Sequence, residues 1–109
     1  MGKFEINLDN AKQYRFNLKA GNGETILRSE GYTTKSSCEN GIESVRSNSQ
    51  EDGRFELLDA SNGSPYFNLK ASNGQVIGTS QMYSSNTARE TGIASVKSNA
   101  PSASVEDNT

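Results

Sequence analysis

A chain of 109 residues has the length of one domain, and its 31% hydrophobic content gives it little apolar material for a core. Its 11 basic and 13 acidic residues are interspersed and leave a net charge of −2. No basic stretch is available to follow a phosphate backbone, so nucleic acid is not an expected partner. No apolar run approaches the ~20 residues of a membrane span. The opening Met-Gly-Lys-Phe-Glu-Ile has no signal-peptide core, and Ile6 stands where a myristoylation signal needs Ser or Thr. One Cys cannot form an internal disulfide, which makes the cytoplasm the expected compartment.

The first predicted element is a strand in which Phe4, Ile6 and Leu8 alternate with Glu5, Asn7 and Asp9. A polar turn over residues 9–13 leads to a second strand. There Tyr14, Phe16, Leu18 and Ala20 share one face, with Arg15, Asn17 and Lys19 on the other. Asn22-Gly23 predicts a hairpin with a type I′ turn, which needs positive φ at both central residues. A third strand over residues 24–29 is anchored by Ile26. Tyr32 then closes the strand section, with a buried ring and a locally bonded hydroxyl expected. Ser36-Ser37-Cys38-Glu39 fits a capping box for a helix. Ile42 and Val45 face the sheet from that helix. Gly41 signals a close approach, since Gly inside a helix costs ~1 kcal/mol relative to Ala.

Residues 55–99 then repeat residues 4–48 at a constant spacing of 51, without a gap and with nineteen identities. Phe55 and Leu57 take the inward strand positions, and Leu58 breaks the alternation. Pro65, Phe67, Leu69 and Ala71 oppose Tyr66, Asn68 and Lys70. Pro65 suits a strand start, where its missing N–H does little harm. Asn73-Gly74, Ile77 and Tyr83 follow, then a second capping box, Thr87-Ala88-Arg89-Glu90, and the helix face of Gly92, Ile93 and Val96. One copy alone would bury only ~60% of its unfolded surface. A single domain over residues 1–109 is therefore expected, made of repeats at 3–50 and 54–101. The tail 102–109 is read as either a closing strand or a disordered end.

The run Tyr14-Arg15-Phe16-Asn17-Leu18-Lys19-Ala20-Gly21-Asn22-Gly23, followed by Tyr32 and by Glu39, Gly41, Ile42, Ser44, Val45, Arg46, Ser47 and Asn48, resembles the YegP-like family of small bacterial proteins. The likeness covers residues 3 to about 100 in both copies, with minor departures at Tyr14 and Pro65. It implies an α+β fold of two tandem β(3)-α(-β) units with pseudo-two-fold symmetry. These would form a single antiparallel sheet with two helices on one face, the last strand of each unit exchanged into the other. On that plan the strand near residues 55–59 closes the first unit while opening the second. The tail near Val105 closes the second, and the chain is a monomer built as a fused pseudo-dimer. The resemblance implies no activity.

With no His, the chain cannot form a Ser-His-Asp or Cys-His arrangement or a Cys/His zinc site by itself. Glu51-Asp52-Gly53 lacks the alternating ligands of a calcium loop and reads as a solvated turn. No metal or cofactor is expected. Cys38 lies near a helix start but aligns with Arg89, so it is read as an exposed, incidental thiol. The polar residues kept on outward strand positions are Glu5, Asn17 and Lys19, with Glu56, Asn68 and Lys70. Joined by Tyr66, they form a candidate interaction face; the plainer reading is a wet sheet face with cross-strand Lys–Glu pairs. Sheet edges are the other candidate, because unpaired amides invite a further strand. The expected function is a small non-catalytic binding or protein-interaction module, with a protein or a small polar ligand as partner. The alternative is an accessory or ligand-binding subunit of an enzyme, or an enzyme using Lys, Tyr or carboxylate chemistry.

Overall fold

Period-two alternation becomes strand and the capped apolar stripes become helix in the computed structural model, which describes residues 2–109. The elements are β1 (Lys3–Leu8), β2 (Tyr14–Lys19), β3 (Thr25–Arg28), α1 (Lys35–Asn48), a 3₁₀ turn (Asp52–Arg54), β4 (Phe55–Asp59), β5 (Pro65–Lys70), β6 (Val76–Thr79), α2 (Asn86–Asn99), a second 3₁₀ turn (Ala100–Ser102) and β7 (Ser104–Asp107). The fold is α+β, with one sheet in the order β4-β5-β6-β3-β2-β1-β7. At its centre β3 meets β6 antiparallel through Arg28 and Thr79, which relates the two repeats by a pseudo-two-fold. Both helices cover one face, over a core of Phe4, Ile6, Phe16, Leu18, Phe67 and Leu69 met by Ile42, Val45 and Val96. Among the described residues no helix is long and apolar enough to cross a membrane.

Two features of the expected plan are corrected. The sheet is mixed, because β7 runs parallel to β1 with Val105 opposite Phe4 and Asp107 opposite Ile6. The tail is therefore an ordered strand that closes the first repeat rather than the second. β4 pairs only with β5, so it opens the second repeat without closing the first. The reason is chain length. Residues 49–54 pass from α1 straight into β4 through one 3₁₀ turn, whereas another strand in the sheet would need a longer connection. Strand exchange thus happens once, not twice.

The turns and caps also differ in kind. Gly23, Gly63 and Gly74 have φ of 87°, 86° and 86°, while their Asn neighbours stay at negative φ. The Gly23 N–H donates to the Ala20 carbonyl at 2.9 Å, and Asn22 Oδ1 accepts from the Glu24 amide at 3.0 Å. With the register shift between Leu18 and Lys19, this is a type I turn followed by a left-handed Gly bulge, not type I′. The helices begin before the predicted capping boxes. Thr34 Oγ1 accepts from the Ser37 amide at 3.1 Å, and Ser85 Oγ from the Ala88 amide at 3.0 Å. Within α1, Cys38, Gly41, Ile42 and Val45 form one buried stripe at i, i+3, i+4 and i+7. Tyr32 and Tyr83 stack on Phe16 and Phe67 at 6.3 and 6.2 Å between ring centroids. The Tyr83 hydroxyl is buried without a hydrogen bond, contrary to the expected local one.

Candidate functional site

Alternation puts Glu5, Asn17 and Lys19, and likewise Glu56, Tyr66, Asn68 and Lys70, on the sheet face away from the helices. The fold does not bring the two sets together. β2 and β5 lie three strand spacings apart, about 14 Å. Within each set the charges satisfy one another. Glu5 receives Lys19 Nζ at 3.1 Å and Lys3 Nζ at 3.2 Å, and Glu56 receives Lys70 Nζ at 3.1 Å. Hydrogen bonds from Lys19 and then Lys3 hold the Glu5 carboxyl below its ordinary pKa, and Lys70 does so for Glu56. Asn68 Oδ1 accepts from Thr79 Oγ1 at 2.8 Å. Arg28, exposed opposite Asn17, escapes a reading based on shared residues because its counterpart is Thr79.

The repeats differ most at the two outer ends of the sheet. Beside β1, the β7 segment seals Phe4 and Ile6 completely and leaves Ile42 only 1% exposed. The Gly2 and Ile6 carbonyls accept from the Ser104 and Asn108 amides at 3.3 and 2.9 Å. The Arg46 guanidinium lies 5.1 Å over the Phe4 ring and donates to the Ala100 and Pro101 carbonyls at 2.9 and 3.2 Å. Lys3 meets Glu106 at 3.1 Å and Lys35 meets Asp107 at 2.8 Å.

At the other end, among the described residues, β4 has no strand on its outer side. Phe55 is only partly buried, and Leu57, the counterpart of sealed Ile6, is 53% exposed. Lys97, the counterpart of Arg46, lies 5.9 Å over the Phe55 ring and pairs with Asp52. Phe55, Leu57, Glu90, Ile93, Ala94 and Lys97 frame an open groove of about 410 Å³. In the first repeat Val105 and the corresponding helix residues, Glu39, Ile42 and Glu43, border a smaller groove of about 220 Å³.

The ion pairs on β7 make its hold titratable. Lys35, and after it Thr109, keeps the Asp107 carboxyl far below the usual carboxylate range. A depressed folded-state pKa means the contribution is present above the unfolded value, about 3.9, and is lost as pH falls through the folded one. On acidification from neutrality, the amide resonances of residues 104–107 are expected to hold until the pH falls well below the usual carboxylate range, because Asp107 keeps its charge until then. Asp107→Asn should show the loosened tail already at neutral pH, as read by an NMR pH titration.

Cys38 is fully buried, which corrects the exposed thiol expected from its alignment with Arg89. Burial pushes its pKa up to about 11. Arg89 occupies the same inward position by running its stem along the sheet and donating from Nη1 to the Leu58 carbonyl at 2.9 Å. Cys38 should therefore resist alkylation by iodoacetamide in the folded protein near neutral pH and react once the protein is unfolded, as followed by intact mass.

The sequence profile of a domain of unknown function (DUF1508) matches twice, over residues 9–56 and 60–107. The UPF0339 protein YegP of Escherichia coli K12 is 61% identical over 108 residues, spanning 99% of this chain and 98% of that protein. A UPF0339 protein of Acinetobacter baylyi is 58% identical over 106 residues, 97% and 96% of the two chains. A solution NMR structure of E. coli yegP, described as a protein of unknown function, is similar with a TM-score of 0.94 at 61% identity, covering 99% of this chain and 93% of that one. The solution NMR structure of a UPF0339 protein from Shewanella oneidensis is similar with a TM-score of 0.92 at 53% identity, covering 97% and 90%.

Proposed function

The chain belongs to the DUF1508 family, and from that footing we propose that it is a non-catalytic protein-interaction module that takes up an extended segment along the outer edge of β4. The observation that carries this reading is the asymmetry of the duplicated fold. The position that β7 fills beside β1 is open beside β4, where the exposed Leu57 sits beside Phe55 and Ile93. Unpaired backbone groups on an edge strand supply directional hydrogen bonds to an added strand, and the groove supplies apolar area. The polar face is the weaker candidate because its Lys and Glu side chains already pair with one another. A cytoplasmic setting belongs to the same proposal and suits the free, buried Cys38 thiol.

The test compares three baits in pull-downs from the native cell: the wild type, Leu57→Lys, and the double variant Lys19→Ala/Lys70→Ala. Leu57 is half exposed, so its replacement leaves the core intact. Partners kept by the double variant and lost by Leu57→Lys support docking at β4. Partners lost only by the double variant would move the site to the polar face and sink this reading.

A further inference from the structure

The protein carries a template for what its open edge would hold. Resting on the reading that β4 is the docking edge, we propose that the occupant is an extended peptide of a partner protein that runs parallel to β4 and repeats the chemistry of this chain's own β7: a small residue, a β-branched residue two positions on, and an acidic residue directly after it.

The pseudo-two-fold transfers the contacts of β7 to named positions, except the Lys35–Asp107 pair, because Asn86 stands where Lys35 would be repeated. Val105 stands opposite Phe4 and borders a small groove with Ile42; the counterparts Phe55 and Ile93 both line the open groove. Ala103, at the entry to β7, is 3% exposed, so the entry takes a small side chain. The carbonyls of Gly2 and Ile6 accept from β7, and Gly53 and Leu57 hold the equivalent positions in the second repeat. Arg46 holds the two carbonyls that lead into β7; its counterpart Lys97 lies over Phe55 but pairs with this chain's own Asp52 at the groove, so it takes up the same task only by giving up that partner. Glu106 pairs with Lys3, whose counterpart is Arg54. Among the described residues Arg54 has no carboxylate partner; its Nε donates to Asn48 Oδ1 at 3.0 Å. That cation selects an acidic residue after the β-branched one. The parallel direction follows from that of β7 on β1.

A second copy of this chain is not the favoured occupant. Moving its tail onto β4 would uncover Phe4 and Ile6 of the donor, so no strand pairing would be gained.

The probe is a synthetic peptide with the sequence of residues 100–109, titrated into the isotope-labelled full chain and read by amide chemical shifts. The expected result is perturbation of Phe55–Asp59 and of α2 near Ile93, with β1 unmoved. A paramagnetic tag on the peptide's N-terminus should broaden residues near Gly53, and one on its C-terminus those near Asp59. Replacing the peptide's Glu by Gln should weaken binding roughly two- to fivefold, the range of an exposed ion pair. Several results would overturn the proposal. Shifts confined to β1 would mean that the peptide only competes with the resident tail. Dilution-dependent shifts of Phe55–Asp59 without peptide would mean that a second copy covers the edge. Reversed tag effects, or no shifts at millimolar peptide, would reject the parallel template yet leave β4 docking to stand or fall on the Leu57→Lys pull-down.

Discussion

Phe4→Ala is expected to destabilise the fold by about 3–5 kcal/mol, and Phe55→Ala, the same residue one repeat later, by roughly half as much or less. Both rings pack edge-on against a Phe of the neighbouring strand, Phe4 on Phe16 at 5.8 Å and Phe55 on Phe67 at 5.6 Å. They differ in what lies on their outer side. Phe4 is 0% exposed, beneath Arg46 and β7. Its removal leaves a closed cavity, so the lost transfer energy and the cavity cost add. Phe55 borders the open groove. Water can enter the space that its ring leaves, and the cavity cost largely disappears. Folds of this size are stable by only about 5–15 kcal/mol, so Phe4→Ala approaches the point of unfolding. Urea unfolding with unchanged m-values measures both losses. Equal losses would mean that the outer side of Phe55 is covered in solution.

Gly92→Ala should cost about 1–2 kcal/mol and Gly41→Ala somewhat less, although each substitution adds ~1 kcal/mol of helix propensity. A Cβ on Gly41 would stand 2.5 Å from Tyr32 Oη and 3.1 Å from the Phe16 ring. On Gly92 it would run into Tyr83 Oη and come within 2.5 Å of Cζ. The tyrosines cannot swing aside freely because each ring is stacked on a Phe of the core. Tyr83→Phe removes a buried hydroxyl that lacks a partner. That change alone should be neutral or stabilising by up to ~1 kcal/mol. It also removes the nearest clashing atom, so Gly92→Ala/Tyr83→Phe should lose less than Gly92→Ala. Thermal unfolding of the four-member cycle tests this. A Gly92→Ala variant more stable than the wild type would place the helix farther from the sheet.

Much of the architecture was legible because it depends on local period and on duplication. The alternation of Phe4 with Ile6, or of Phe16 with Leu18, needs no tertiary information to name a buried face. Gly41 and Gly92 signal a close approach, to the sheet or to the other helix, because Gly is costly in a helix and recurs; the structure places it against Tyr32 and Tyr83 on the sheet side. Choices between neighbouring options were harder to read. Each helix start offers several hydroxyl residues, and nothing in the local pattern says which of them caps; Thr34 and Ser85 do. Arg89 misled the reading of Cys38, because a long side chain can occupy an inward position by reaching a backbone carbonyl.

The candidate site was hidden for a related reason. Phe4 and Phe55 are identical residues in identical local patterns, and nothing near either says whether another strand lies beside it. The signal is in the connections. Residues 49–54 are too few to reach β4 and also form a strand beside it, whereas residues 103–108 are free to line β1. The recurring Glu5, Asn17 and Lys19 positions drew attention to a face whose charges pair internally. The open edge lies where the repeats stop being equivalent.

Amide hydrogen exchange at Ile6 and Leu57 tests that inequivalence most directly. The two are counterparts, and each turns its backbone groups toward the outer side of its strand. β7 covers Ile6, and no strand covers Leu57. The Leu57 amide is predicted to exchange at least about a hundredfold faster than that of Ile6, as an edge open to water should beside one locked in a ladder. Equal protection at the two positions would contradict the account.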